Sequence, residues 1–122
     1  MKLGYVVLYV DNVDSTQSFW VEKVGAKVAG VNQVGDFSIV KLSLPGAGAE
    51  IELVPRELMK DNPDQLDLAT PSMCFYTADV VQERARLETV GVTVAPIRDH
   101  FGTLTFAFSD NENRWFAVMQ VA

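Results

Sequence analysis

With 122 residues, 48% of them hydrophobic, the chain has the length of one domain and enough apolar sequence to bury a core. Its net charge of −6 argues against nucleic acid or an anionic membrane as a partner; it favours a cationic ligand only weakly, because most acidic side chains simply solvate a surface. The single cysteine, Cys74, excludes an intrachain disulfide and a thiolate cluster.

The opening segment MKLGYVVLYVDNV carries one lysine and then a strand pattern, with Asp11 and Asp14 interrupting early. It lacks the long apolar run and small-residue cleavage site of a signal peptide. No run approaches about 18 apolar residues, so a cytoplasmic protein without a membrane span is expected.

Tyr5 to Val10 is rich in Val and Tyr and reads as a strand, closed by the turn signal Asp11-Asn12. Asp14 or Ser15 is the expected cap of a helix that passes through Phe19 and Trp20 to Val24 and stops at Gly25. Strands are expected over residues 26–31, 37–44 and 50–54, with Pro45-Gly46-Ala47-Gly48 as the hairpin between the last two. Residues 55–71 are polar, contain Pro55, Pro63 and Pro71, and read as a connector with a helical turn at 56–60. The order then repeats: a strand over 72–78, Asp79 ahead of a helix over 80–90 ending at Gly91, and strands over 92–97, 103–108 and 114–121. Asp110-Asn111-Glu112-Asn113 is the last hairpin turn.

Superposing the halves pairs YVVLYVD (5–11) with MCFYTAD (73–79), and VGAKV (24–28) with VGVTV (90–94) at a slightly shorter offset. Agreement in order and spacing indicates a tandem βαβββ duplication, an α+β architecture. Module 1 spans about residues 1–55, the connector 56–71, and module 2 about 72–122, in one domain.

The repeated pattern of strand, Asp, helix, Val-Gly and strand, with EIEL closing one half and SDNENRWFAVMQ the other, resembles the vicinal oxygen chelate superfamily over essentially the whole chain. That group includes glyoxalase I, extradiol dioxygenases, and fosfomycin and bleomycin resistance proteins. The resemblance implies curled mixed sheets around a cavity, with helices on the outer face. It also implies a homodimer, which would cover apolar surface and strand edges.

Alternation along such strands directs Val6, Leu8, Val10, Ile51 and Leu53 to the helix. Tyr5, Val7, Tyr9, Glu50 and Glu52 then face the cavity, with Met73, Phe75 and Thr77 and, from the last strand, Trp115, Ala117 and Met119. Cys74 takes helix-facing parity and is expected to be a buried, inert thiol. Metal-dependent relatives place ligands, usually His and Glu, at positions that fall here on Tyr5, Glu52, Met73 and Ala117. Of these only Glu52 is a good ligand for a divalent metal, and one carboxylate does not make a site. No metal and no cofactor are expected.

His100 is the only histidine, in the loop segment RDHFG, and nothing pairs it with a nucleophile. Its readings are an exposed loop histidine, or a general base or ligand contact at a cavity mouth. Glu50 and Glu52 are spaced as an acid–base pair, yet Lys41 on the neighbouring strand is placed to neutralise one of them. The expected ligand-binding set is therefore Tyr5, Tyr9, Phe37, Glu52, Met73, Phe75, His100 and Trp115, with aromatic and sulfur contacts for a planar ligand and Glu52 for a cationic group.

The function expected from this set is metal-independent binding of a small molecule, a cationic or aromatic drug, by sequestration as in the bleomycin resistance branch. The alternatives are a metal-dependent lyase, isomerase or dioxygenase with atypical ligands, and an interaction module whose side chains fill the cavity themselves.

Overall fold

The computed structural model describes residues 1–46 and 48–121. It divides into two compact units, Met1–Pro71 and Ser72–Ala122. Ala47 of the expected first hairpin and Ala122 lie outside the described residues.

In the first unit β1 is Tyr5–Val10 and leads directly into the helix α1, Val13–Phe19. The cap is Asn12, two residues before Asp14 and three before Ser15. Its backbone is extended, and its side-chain oxygen accepts from the Ser15 N–H at 2.9 Å, satisfying an otherwise orphaned helix donor. The helix continues as a π-helical turn, Trp20–Val24, because the N–H groups of both Gly25 and Ala26 reach the Trp20 carbonyl, at 3.0 and 2.9 Å. Gly25 ends it at φ 99°, a left-handed conformation that glycine adopts without a Cβ penalty.

The strands β2 (Lys27–Val34), β3 (Phe37–Ser43) and β4 (Glu50–Pro55) follow, and a short 3-10 turn, Arg56–Met59, opens the connector. The sheet order is β1-β4-β3-β2, with β1 parallel to β4 and the other pairs antiparallel. Helix α1 lies against β3 and β4 and buries Phe19, the π-helical turn buries Trp20, and Leu8, Leu42 and Leu53 are buried from the strands.

In the second unit β5 is Cys74–Thr77, and the Asp79 carboxylate caps α2 (Val80–Thr89) by accepting from the Gln82 N–H at 3.0 Å. The strand expected over 92–97 does not form. Val94 makes an isolated bridge to Phe108 and the Ala95 N–H reaches Ala107, but Pro96 has no N–H with which to extend the ladder. The strand β6 forms instead at Arg98–His100 and turns through Phe101 and Gly102, at φ 54° and 88°, into β7 (Thr103–Ser109). The last strand, β8, is Trp115–Gln120, and the order is β5-β8-β7-β6.

The architecture is thus two mixed four-stranded sheets with helices, and neither sheet is strongly curled. This corrects the expectation of curled sheets around a cavity. Strong curling needs bulges or glycine kinks repeated across a sheet. Among the described strand pairs one register irregularity occurs, between Val28 and Gly30, and it lies on the edge strand β2.

A second correction concerns β5. Phe75 joins Phe108 and Phe116 in an aromatic cluster, with ring centroids 5.9–6.2 Å apart, and so lies on the core face. Cys74 and Tyr76 are exposed on the opposite face, where their parallel partners are Ala117 and Met119. The expected parity of 73, 75 and 77 is one residue out of phase, and the thiol expected to be buried is accessible. No helix among the described residues is long and apolar enough to cross a membrane.

Candidate functional site

The open face of the first sheet is built by strand register. Glu52 on β4 is the Cα partner of Val7 on one side and of Lys41 on the other, and Lys41 in turn faces Gly30 on β2. Tyr5 is displaced by two residues from Val7 along β1, so it shares their face of the sheet. The Lys41 chain extends across this surface. Its ammonium lies 4.2 Å from the centre of the Tyr5 ring and 3.7 Å from the Glu52 carboxylate. A hollow of about 460 Å³ opens beside this trio, walled further by Ile39, Asn32 and the β2 backbone at Gly30.

The ammonium and the carboxylate cancel each other's charge, and the Tyr5 π face adds a second attraction for the same cation. Glu52 is therefore already partnered: Lys41 neutralises Glu52, the second residue of the spaced carboxylates. Both ends remain partly solvated, with side-chain exposures of 33% and 17%, so the contact stabilises the fold by on the order of 1 kcal/mol or less. Its consequence is electrostatic rather than structural.

The other expected site residues are dispersed. Tyr9 is half-buried, and its carbonyl accepts from Arg56, which also pairs with Asp11 at 3.1 Å. Phe37 lines a different hollow of about 240 Å³, beside Asp11, Asp14, Asp36 and Glu57. In the second unit Met73 is half-buried just before β5, and its carbonyl accepts from the Ala117 N–H at 3.1 Å. Phe75, half-buried, packs against Phe108 and Phe116 on the core face. Trp115 is exposed at the start of β8, on the face that carries Cys74 and Tyr76.

His100 is exposed and lies on a strand rather than in a loop. The Asp99 carboxylate caps the following turn by accepting from the Gly102 N–H at 2.7 Å, so it does not orient the imidazole. Cys74 and His100 stand on opposite edge strands of one sheet, separated by β8 and β7, a span of about 14 Å between strands. That distance excludes a Cys–His dyad within the sheet.

The expected set omits Lys41, Ile39 and Asn32, although the place of Lys41 on the neighbouring strand suits it to neutralise a glutamate. Phe37, Ile39 and Lys41 alternate along β3, and that period was the available signal. For Cys74 and Tyr76 no comparable signal exists.

The metal implied for many relatives does not fit these residues. A divalent cation at Glu52 would meet the Lys41 ammonium within the same few ångströms, and Tyr5 has that ammonium over its ring. Met73 and Ala117 offer a soft ligand and none. Among the described residues no group of three or more His, Cys, Asp or Glu side chains is placed to hold a metal ion.

Comparison with known proteins gives consistent relatives. The sequence model of the Glyoxalase/Bleomycin resistance protein/Dioxygenase superfamily matches residues 2–118. An uncharacterized protein, YetH, of Bacillus subtilis (strain 168) is 25% identical over 122 residues, covering 98% of each chain. Among solved structures, TnmS3, an antibiotic binding protein from Streptomyces sp. CB03234, superposes with a TM-score of 0.82 at 20% identity, covering 100% of this chain and 97% of its own. A superfamily member from Sphaerobacter thermophilus DSM 20745 gives a TM-score of 0.84 at 20% identity, covering 99% and 98%. At these identities the structural likeness bears on the fold alone.

Proposed function

Because the chain belongs to the Glyoxalase/Bleomycin resistance protein/Dioxygenase superfamily, we propose that it is a metal-independent small-molecule binding protein that acts by sequestration. The observation that carries this reading is the Lys41 ammonium between Tyr5 and Glu52, where an internal cation stands at the residues that correspond to metal ligands in relatives. A sequestering protein needs shape and a few polar groups rather than a catalytic dyad. Lys41, held by Tyr5 and Glu52, and the Asn32 amide supply these at the first-sheet hollow. The relative described as an antibiotic binding protein supports a drug as the ligand, and the Tyr5 ring at the hollow supports an aromatic one. Assembly as a homodimer belongs to the same proposal; the long exposed edge strand β2, with Val31 accessible, supports it.

A thermal-shift screen of planar aromatic compounds in buffer containing a chelator tests the reading. A true ligand at about 100 times its Kd stabilises the folded state by about 2.7 kcal/mol, which reads as a clear rise in Tm. A screen in which no aromatic compound raises Tm, under conditions where the protein is folded, counts against binding and favours an interaction module.

A further inference from the structure

The geometry points to Lys41 as the specificity-determining anchor of the first-sheet hollow, which selects aromatic ligands bearing a hydrogen-bond acceptor, a carbonyl or a carboxylate, and disfavours organic cations. This inference rests on the proposed small-molecule binding and concerns only what that ligand carries.

Two features normally recognise an organic cation, an aromatic face and a carboxylate. Here both are engaged by one resident cation: the ammonium is 4.2 Å from the Tyr5 ring centre and 3.7 Å from Glu52. A cationic ligand would have to displace Lys41 or sit beside it, and like charges at such separations repel. The groups that line the hollow comprise one ammonium and one carboxylate, so no net negative charge is left there to reward a second cation.

The ammonium itself is the group with capacity to spare. It carries three donors, and the Glu52 oxygen at 3.7 Å lies beyond hydrogen-bond length. With its side chain 33% exposed, Lys41 can direct a donor into the hollow. The space is present opposite it. Gly30 is its Cα partner on β2, and a Cβ built on Gly30 meets nothing within 4 Å. Ile39 gives that space an apolar wall suited to a ring, while Asn32, its Cα partner on β2, adds an amide at its margin. The arrangement matches a flat apolar body with an acceptor at one edge, pointed at Lys41.

Three probes that share a naphthalene ring separate the possibilities: 2-acetylnaphthalene, 2-naphthoate and (2-naphthylmethyl)ammonium. Each is titrated by its own fluorescence into the wild-type protein, Lys41→Met and Gly30→Val, with circular dichroism confirming that the variants fold. Methionine keeps the length of the lysine stem without its charge. The expected result is that the two acceptor probes bind the wild type at least about tenfold more tightly than the ammonium probe, and that Lys41→Met reverses this order by releasing Glu52. Gly30→Val, which fills the space facing Lys41, weakens the acceptor probes by about tenfold or more. Tightest binding of the ammonium probe to the wild type, or an order unchanged in Lys41→Met, overturns Lys41 as the anchor while leaving small-molecule binding intact. Unchanged affinities in Gly30→Val overturn the location. Absence of binding by all three probes overturns the proposal together with the reading beneath it.

Discussion

Phe116→Ala is expected to lower the stability of the protein by roughly 3–5 kcal/mol, the cost of removing a buried aromatic ring and leaving a cavity. The ring is 1% exposed and is gripped by two others, Phe75 at 6.2 Å in a perpendicular arrangement and Phe108 at 5.9 Å. Edge-to-face geometry adds to the area term, so the loss belongs at the upper end for a core of this size. The neighbouring residue supplies the control. Trp115 is the larger side chain, but it stands on the other face of β8 and is 49% exposed, so Trp115→Ala is expected to cost only about 0.5–1 kcal/mol. Urea unfolding of the two variants measures the contrast directly. Similar losses from both would contradict the orientation of β8.

Asp110→Ala carries the second large loss, roughly 3 kcal/mol, through a different mechanism. The Asp110 side chain is fully buried, and one oxygen accepts from the N–H groups of both Glu112 and Arg114, each at 2.9 Å. The other faces the Arg114 guanidinium at 3.5 Å, in a side chain only 7% exposed. Alanine removes the acceptor shared by these two backbone N–H groups and part of the compensation of a buried cation, which keeps Glu112 at 3.0 Å as a partner. Asp110→Asn retains an acceptor for the turn and is expected to lose about half as much. Equilibrium unfolding of the three proteins orders them wild type, Asn, Ala. Because the pair is buried, that order should persist in high salt, whereas a surface ion pair would be screened away.

Much of the element order was legible because local signals agreed. Leu8 and Val10 face inward and Tyr5 outward as the alternation of β1 requires, and Gly25 and Gly91 end their helices where a left-handed residue is needed. The phase of β5 was not legible. In MCFYT both faces carry apolar or aromatic side chains and Thr77 is the one polar residue, so period-two patterning has little to distinguish. The choice is tertiary: Phe75 completes a three-ring cluster with residues more than thirty positions away. Pro96 likewise moved a strand that composition alone would extend through it. The curl of the sheets came from resemblance rather than from residues, and the strand registers supply too few bulges to produce it.

The candidate site shows the same division. That Lys41 would neutralise a glutamate follows from adjacent strands. That its ammonium also covers Tyr5 depends on β4 lying between β1 and β3, a sheet order that no local pattern encodes. This second contact changes the chemistry, since it turns a surface ion pair into a cation held where both recognition elements meet. It explains why Glu52, the one good metal ligand at the expected positions, is not available as an isolated carboxylate.

Ligand binding by this member of the superfamily is expected to need no metal. Calorimetric titration of the strongest aromatic ligand from the thermal-shift screen tests it most directly, comparing protein dialysed against chelator with protein supplemented with zinc, manganese or ferrous iron. The same Kd and a stoichiometry near one site per chain are predicted in every buffer. Binding that disappears with chelator and returns in proportion to an added metal would make the site metal-dependent and overturn the proposed function.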